Sequence, residues 1–238
     1  MYLEDFNYSL PKKLIAKRPN AKKKSKVLIC NKKKIIDFNQ ILDEFNQDDV
    51  LVFNNTKVIP SIITGIQNGK EIKLTLLNNF KSYFWNAFIK PGKKVKEDTR
   101  IEFNNDFYCI IKKKSSVIAE VKFNHKYEKV LEYLNKFGDL PLPPYIKAKS
   151  DRKLDEKYYQ TVFAKNSGAV ACPTAGLHFN ECLIEKFKNR KIETIFTTLH
   201  VGAGTFLPLK KEKVIKNILH KERGIITEKA AKKINKAI

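Results

Sequence analysis

The sequence predicts an α/β main domain interrupted by a small antiparallel β-barrel domain. Strand and helix patterns alternate in the first 60 residues and again after residue 146, as they do in α/β domains. Between Pro60 and Phe123, six short β-prone runs follow one another without a helical pattern, which indicates a closed antiparallel sheet. We therefore expect a discontinuous α/β domain at 1–60 and 146–238 and an inserted barrel domain at 61–145.

The first part of the α/β domain is predicted to hold three strands and one helix. Ser25–Ile29 and Ile35–Phe38 are β-prone runs on either side of a polar turn, so they predict a strand pair. Ile41–Phe45 predicts a short helix. Val50–Phe53 is a continuous apolar run, which predicts a buried strand.

The predicted barrel begins with a hairpin. Ser61–Gln67 and Lys70–Leu77 flank Asn68-Gly69, the strongest short-range signal for a two-residue hairpin loop. Further strands are predicted at Tyr83–Ile89, Arg100–Phe103, Phe107–Ile111 and Val117–Phe123, with turns at Asn104-Asn105 and Lys112–Ser116.

Helical patterns return after the barrel. Lys126–Phe137 predicts a helix that Gly138 ends, and three prolines keep Leu140–Tyr145 extended. The later elements are predicted as a helix after Asn180, a strand at Ile192–Leu199, a helix near Glu212–Leu219 and a helix with Thr227 as N-cap. This last pattern is still strong at Ile238, so we expect that the fold is cut short there.

Charge and composition favour a nucleic-acid partner. The 238 residues carry a formal net charge of +22, which attracts polyanions. The alternative is a solvated, lysine-rich surface that reflects an AT-rich genome, because only five of the 47 basic residues are arginines. No apolar run approaches the roughly 18 residues of a membrane span, and the N-terminus lacks a signal-peptide layout. We expect a cytoplasmic protein with no membrane partner.

The cysteines do not predict a metal site. Cys30, Cys109, Cys172 and Cys182 form no Cys-x-x-Cys pair, and no histidine lies at zinc-ligand spacing from any of them. We expect buried free thiols, because free cysteine is among the most buried residue types.

Two glycine-bearing segments combine the residue types of a ligand site. In the first, Thr174, Ala175 and Gly176 precede His178 just before a predicted helix; small side chains let a ligand reach the backbone, and the helix start offers free N–H groups. In the second, His200 precedes a loop at the end of a predicted strand, where α/β proteins commonly bind ligands. That loop contains Gly202, Ala203, Gly204 and Thr205.

A third segment, His220-Lys221-Glu222, places a histidine and a carboxylate two residues apart. Each segment has a structural alternative, since glycines also make tight turns and single histidines are commonly structural. Three of the four histidines nevertheless fall within 43 residues. This clustering favours a small-molecule or nucleotide pocket with histidine acid/base groups.

The order of these segments resembles that of the S-adenosylmethionine:tRNA ribosyltransferase-isomerases. Pro173–Phe179 and Thr198–Phe206 are similar to the two hallmark motifs of that family. The similarity extends over essentially the whole chain, at Asp5–Pro11, Leu14–Ala16, Val52–Asn54 with Thr56, Pro91–Lys94, Pro141–Ile146 and Tyr159–Ala164.

The resemblance implies transfer of the ribosyl part of S-adenosylmethionine to 7-aminomethyl-7-deazaguanine in the tRNA wobble position. The sugar is isomerised to give epoxyqueuosine, and S-adenosylmethionine is a consumed substrate, so no cofactor is expected. Because the sulfonium acidifies the 5′ carbon, a base would form an ylide that expels adenine. His178 and His200 are the expected acid/base groups, with His220 and Glu222 as second candidates.

The resemblance also implies partners and substrate contacts. We expect S-adenosylmethionine and the tRNA anticodon region as partners of a monomer, with lysines near the anticodon phosphates. The expected substrate-binding residues are Thr174, Ala175, Gly176, Gly202, Ala203, Gly204, Thr205, Asn54 and Thr56.

Some positions depart from the family pattern. Asn55 and Lys57 stand where the family has aspartate and arginine, and Leu207 stands where it has arginine. The family also continues beyond the length of this sequence, with a Gly-Thr-Thr-Ser segment that lines the site. Two alternatives therefore stay open. One is an inactive truncated remnant that binds RNA or S-adenosylmethionine weakly or not at all. The other is a generic basic RNA-binding protein, which leaves the histidine-glycine loops unexplained.

Overall fold

A computed structural model of the chain describes residues 3–16, 25–104, 106–115, 118–143, 146, 151–206 and 221–238. The chain forms two compact units. We call them the α/β unit (Met1–Lys57, Pro143–Ser167 and Cys172–Ile238) and the barrel unit (Val58–Leu142 and Gly168–Ala171). None of the helices in these described ranges combines the length and the apolar character that a membrane crossing demands.

The described strands are, in chain order, β1 (Lys26–Ile29), β2 (Lys34–Asp37), β3 (Val50–Asn54), β4 (Thr56–Val58), β5 (Ile62–Gln67), β6 (Lys70–Lys81), β7 (Phe84–Lys90), β8 (Arg100–Glu102), β9 (Tyr108–Lys114), β10 (Ala119–Phe123), β11 (Asn166–Ala169), β12 (Glu193–His200) and β13 (Arg223–Ile225). The α-helices are α1 (Tyr127–Phe137), α2 (Arg152–Tyr158), α3 (Glu181–Asn189) and α4 (Glu228–Ala237). Short 3₁₀ helices occupy Leu3–Phe6, Lys12–Leu14, Phe38–Glu44, Gly92–Lys94, Thr174–His178 and Ala203–Phe206.

The barrel unit contains a closed six-stranded barrel with the order β10-β7-β6-β5-β8-β9, and all of its strand pairs are antiparallel. The predicted hairpin is confirmed, because Asn68 and Gly69 have φ angles of 48° and 70°, as a type I′ turn requires. The fold class of an α/β protein with an antiparallel barrel is therefore confirmed.

Alternate residues of the barrel strands form its core. Leu74, Leu76, Ile111 and Val121 are fully buried there, and α1 adds Val130 and Leu134 to the same cluster. Each such side chain contributes roughly 1.5–3 kcal/mol on burial. The helix predicted at this position is confirmed, with Gly138 as its C-cap. Only glycine fits there, because a Cβ would lie 2.1 Å from the carbonyl oxygen of Pro60.

The α/β unit is built on a three-stranded sheet of order β13-β12-β3. β12 runs parallel to β3, with Thr194 beside Leu51 and Phe196 beside Phe53, and antiparallel to β13. Because residues in register share a face, Thr194, Phe196, Thr198 and His200 point to the face that carries Leu51 and Phe53. We call this the α3 face, since Leu51 packs there against the buried cluster of Phe38, Leu42, Leu183, Phe187 and Ile192.

Several predictions for the α/β unit need correction. The helix predicted at Ile41–Phe45 is a 3₁₀ helix, whose start is fixed by the Gln40 side-chain oxygen accepting a hydrogen bond from the Asp37 N–H at 3.0 Å. The strand at Val50–Phe53 is confirmed, but it is not buried throughout, because Val52 points away from the α3 face and is 49% exposed. The helix α2 was not predicted.

Strand β9 of the barrel is longer than predicted. It continues to Lys114, where a turn was predicted, because Lys113 and Lys114 pair with β10.

The prediction of buried free thiols holds for two of the four cysteines. Cys109 and Cys172 are buried as expected, and burial raises the pKa of the Cys172 thiol to about 12. Cys30 and Cys182 are exposed, so the prediction is wrong for them. The helix predicted near Glu212–Leu219 lies outside the described residues.

Candidate active site

His200 is the last residue of β12 and lies beside the end of β3. The side chain of Asn54 holds the two strand ends together: its amide nitrogen donates to the Leu199 carbonyl oxygen at 2.9 Å, and its oxygen accepts from the Leu199 N–H at 3.0 Å. Asn54 thereby extends the ladder of the parallel pair by one step. This gives the residue a structural contact, and its predicted contact with substrate stays a prediction.

A buried threonine contacts the His200 ring. The His200 Nδ1 atom lies 2.8 Å from the hydroxyl oxygen of Thr56, which is only 1% exposed. Burial and, second, the charge of Arg223 lower the pKa of His200; Arg223 stands directly opposite it across the β12–β13 pair. Because the lowered pKa favours the neutral form, the His200 imidazole is uncharged at neutral pH.

The Thr56 contact also selects one tautomer of this imidazole. Within the described part of the chain, the Thr56 hydroxyl has only the His200 Nδ1 atom as a hydrogen-bond partner. A buried O–H group left without an acceptor costs free energy, so we assign the hydroxyl as the donor and Nδ1 as the acceptor. The single ring proton then lies on Nε2. Neutral His200 therefore offers an N–H donor at its other ring nitrogen.

The glycine loop after His200 is held by the third predicted segment. The Glu222 carboxylate accepts a hydrogen bond from the Gly202 N–H at 2.9 Å, and the Thr205 hydroxyl donates to the Gly202 carbonyl oxygen at 3.2 Å. Ala203 and Gly204 continue the loop in the 3₁₀ helix that starts there. The structure thus brings Glu222 and the loop of His200 together. His220 lies outside the described residues.

The first predicted segment forms the 3₁₀ helix Thr174–His178, just before α3. Thr174, Ala175 and His178 are exposed, and the His178 Nδ1 atom lies 3.0 Å from the Ser25 hydroxyl oxygen. The His178 ring also packs 5.3 Å from the Phe38 ring. Gly176 lies against Thr161, whose methyl carbon would be 2.9 Å from an added Cβ, so the glycine also serves close packing.

Both histidine segments adjoin the same face of the sheet. The Phe179 ring, next to His178, packs edge-on against Phe53 at 4.9 Å, and Phe53 also stacks on Phe163 at 4.3 Å and lies 6.0 Å from Phe196. Phe53 and Phe196 belong to the α3 face, which also carries His200. No hydrogen bond or ring contact joins the two imidazoles among the residues that the structure describes.

A cavity of about 420 Å³ opens on the same face of the sheet. It is lined by Asn55, Val162, Phe163, Lys165, Glu181, Ile184, Glu185, Lys188, Thr194 and Phe196. Sequence reasoning did not single out the α3 side chains among these residues. Their spacing at positions 181, 184, 185 and 188 marks one helix face, but only the fold shows that this face borders a cavity.

Asn55 stands where the family resemblance implied an aspartate. Its side-chain oxygen accepts a hydrogen bond from the buried Thr198 hydroxyl at 2.6 Å and another from the Asn166 amide at 3.3 Å. Asn166 also donates to the Thr198 hydroxyl oxygen at 2.8 Å. This triad fixes the Asn55 amide at the wall of the cavity, where it supplies donors and no charge.

The chain matches known proteins along its whole length. Residues 3–238 match the family model described as queuosine biosynthesis protein. An S-adenosylmethionine:tRNA ribosyltransferase-isomerase from Sulfurihydrogenibium sp. (strain YO3AOP1) is 40% identical over 243 residues, which cover 99% of this chain and 71% of that protein. The enzyme of the same name from Clostridioides difficile (strain 630) is 37% identical over 250 residues, covering 100% of this chain and 71% of that protein.

A solved structure, that of S-adenosylmethionine tRNA ribosyltransferase from Thermotoga maritima, aligns with a TM-score of 0.37 and 21% identity. That alignment covers 98% of this chain and 65% of the solved one. The two curated relatives and the family model agree with the resemblance carried by the histidine-glycine segments, and the curated relatives are longer than this sequence. The chain therefore belongs to the S-adenosylmethionine:tRNA ribosyltransferase-isomerase family of queuosine biosynthesis.

Proposed function

We propose that this chain transfers and isomerises the ribosyl moiety of S-adenosylmethionine onto 7-aminomethyl-7-deazaguanine in the wobble position of tRNA. The product is epoxyqueuosine-tRNA, and adenine and methionine leave. S-adenosylmethionine is consumed as a substrate, and no resident cofactor takes part. The reaction takes place in the cytoplasm on a single copy of the chain. The names of the relatives and the order of the histidine-glycine segments support this proposal.

One observation supports it more than any other: the environment of His200. Its neutral imidazole is anchored at Nδ1 by the buried Thr56 hydroxyl and has its pKa lowered by burial and by Arg223. A hydrogen-bond donor acts best on developing charge when it keeps one protonation state at working pH and is held in place. A neutral Nε2–H group of this kind suits a hydrogen bond to the ring nitrogen of adenine on which negative charge develops as adenine departs, and solvent supplies the proton that the free adenine gains.

The reaction also needs proton acceptors, and the first histidine segment is the candidate to supply one. A base must remove the proton from the acidic carbon beside the sulfonium, and a second acceptor must keep the attacking amine neutral. His178 is exposed at the surface of the α/β unit, where its Nε2 atom has no hydrogen-bond partner among the described residues. We assign proton acceptance to His178 and leave His220 and Glu222 as second candidates.

The test is adenine release from S-adenosylmethionine, followed by chromatography. Purified chain is incubated with tRNA that carries 7-aminomethyl-7-deazaguanine, and in parallel with the same tRNA carrying guanine. We expect adenine to form only with the precursor-bearing tRNA, at a yield equal to the epoxyqueuosine found in the digested tRNA. If S-adenosylmethionine binds but no adenine appears with either tRNA, the chain is the inactive remnant and the proposal is wrong.

A further inference from the structure

The cavity on the α3 face has flat apolar walls. The rings of Phe163 and Phe196 lie 5.8 Å apart at an angle of 52°, and Val162 and Ile184 add apolar surface. Val162 is 48% exposed and Phe196 40%, so their burial is incomplete in the free chain. A ligand with a flat, aromatic surface would complete it, because aromatic side chains stack on any nucleobase.

The cavity is lined by four charged side chains that lack an ion-pair partner among the residues that the structure describes. Glu181, Glu185, Lys165 and Lys188 line the opening, and none of them forms an ion pair with another residue in the described ranges. Glu181 and Glu185 stand four residues apart on α3, where like charges repel each other. A cation between them would relieve this repulsion. In a chain with a net charge of +22, such a pair makes a local site for positive charge.

The polar wall of the cavity offers hydrogen-bond donors. Thr198 and Asn166 hold the Asn55 side-chain oxygen, so the amide nitrogen points the other way. That nitrogen has no hydrogen-bond partner among the residues described, and its two N–H groups suit the acceptor edge of a heterocycle. The Lys165 and Lys188 ammonium groups at the same rim suit a carboxylate.

These features together describe one ligand chemistry. We propose that the cavity binds a purine-type ring linked to a positive charge, with the ring packed against the wall formed by Phe163 and Phe196 and the charge at Glu181 and Glu185. Two molecules of the proposed reaction have this chemistry: S-adenosylmethionine, through its sulfonium and ammonium groups, and the 7-aminomethyl-7-deazaguanine base, through its ammonium group. The cavity shares its face with His200, which lies four residues beyond Phe196, or about 13 Å along the strand.

The proposal rests on the proposed function for the identity of these two ligands, and calorimetric titration of the full chain tests it. Wild type and the Glu181→Gln/Glu185→Gln double variant are titrated with S-adenosylmethionine, with free 7-aminomethyl-7-deazaguanine and with 5′-methylthioadenosine, an uncharged purine nucleoside. We expect the Kd of at least one cationic ligand to rise by roughly tenfold, a change of about 1.4 kcal/mol. The Kd of 5′-methylthioadenosine should stay within about twofold, because Coulomb attraction acts only on the charged ligands.

A matched control variant is Glu128→Gln, which removes an exposed carboxylate from the first turn of α1 in the barrel unit. It should leave every Kd unchanged. A second variant, Phe196→Leu, keeps an apolar side chain at this position but removes the ring face. It should weaken binding of all the ligands that enter the cavity by about fivefold or more, since base stacking contributes roughly 1–3 kcal/mol.

The outcomes separate this inference from the proposed function. The cationic ligand that loses affinity in the double variant identifies which substrate the cavity takes. If neither cationic ligand loses affinity, or if wild type binds neither, the cavity assignment is overturned, whatever the adenine-release assay shows. If charge-dependent binding is found in a chain that releases no adenine, the cavity assignment stands and the proposed reaction fails.

Discussion

His200 and His178 belong to segments that look alike in sequence, each with glycine nearby and each beside a regular element, yet their surroundings differ. His200 ends a strand, is half-buried and contacts a threonine hydroxyl that is almost completely buried. His178 ends an exposed 3₁₀ helix and contacts the Ser25 hydroxyl and the Phe38 ring. A strand end inside a sheet can hold an imidazole between two neighbouring strands, whereas a short surface helix can hold it from one side only.

This difference bears on proton chemistry. An imidazole fixed in one tautomer and kept uncharged is ready to donate a hydrogen bond to developing negative charge without rearrangement. An exposed imidazole keeps access to both substrate and solvent and is less restrained. The comparison therefore predicts that the environment of His200 is the more sensitive of the two to substitution.

The largest expected effect is the loss of the ring itself. We expect His200→Ala to lower kcat for adenine release by about 10²–10⁴-fold, the usual contribution of a positioned acid/base group, and His178→Ala to lower it by less. Single-turnover assays with precursor-bearing tRNA measure both. The matched control is His125→Ala in the barrel unit, where His125 stacks on Phe107 at 5.0 Å; it should leave kcat unchanged. A His200→Ala variant with wild-type turnover would remove His200 from the mechanism.

A smaller effect is expected from the residue that holds the ring. Thr56→Val keeps the shape of the side chain but removes the hydroxyl, so the His200 Nδ1 atom loses its donor. We expect kcat to fall by roughly tenfold, equivalent to the net contribution of about one hydrogen bond, with little change in KM. ¹⁵N NMR of the His200 ring should show the Nε2–H tautomer in wild type and a mixture of the two tautomers in the variant.

Thr56→Ser keeps the hydroxyl and should restore both kcat and the tautomer. If Thr56→Val instead raises KM with kcat unchanged, then Thr56 binds substrate, as the family resemblance implied. That result would also mean that the contact between Thr56 and His200 does not matter for the departure of adenine.

The two units also differ in how much of them the sequence predicts. The barrel depends on local signals: the Asn68-Gly69 turn, the alternating apolar residues and the glycine that ends α1. Each of these acts within a few residues, so all six strands were predicted, although β6 runs to Lys81 and not to the predicted Leu77. The extension of β9 to Lys114 was also missed. Lysines give no local strand signal, and the pairing of Lys113 and Lys114 with β10 determines where this strand ends.

The α/β unit depends more on contacts that are distant in sequence. The short strand β13 and helix α2 carry weak local patterns and were not predicted. The carboxyl end of the strand at His200 was predicted as a ligand site, but its neighbours were not: Thr56 lies 144 residues away in sequence, and Arg223 takes its place only through the β12–β13 pairing. Spacing along the chain contains no information on such pairs, so the tautomer and the pKa shift of His200 could be inferred only from the structure.

The smallest expected effect concerns Arg223, and its sign follows from the pKa shift. Burial and Arg223 lower the folded-state pKa of His200 below the ordinary 6.5, so the unfolded chain binds this proton more tightly and the His200 contribution to stability falls as pH drops below 6.5. Arg223→Gln removes only the second cause. We expect the pKa of His200 to rise but to stay below its ordinary value, because burial, the larger cause, remains. An NMR titration of the His200 ring measures this, and the acidic limb of the adenine-release profile should move to higher pH by the same amount.

The control is Lys221→Gln, which removes a cation two residues before Arg223 and should change neither the His200 pKa nor the acidic limb. A fall in the His200 pKa in Arg223→Gln would contradict the assigned cause, and an unchanged acidic limb beside a raised pKa would show that another group limits the rate.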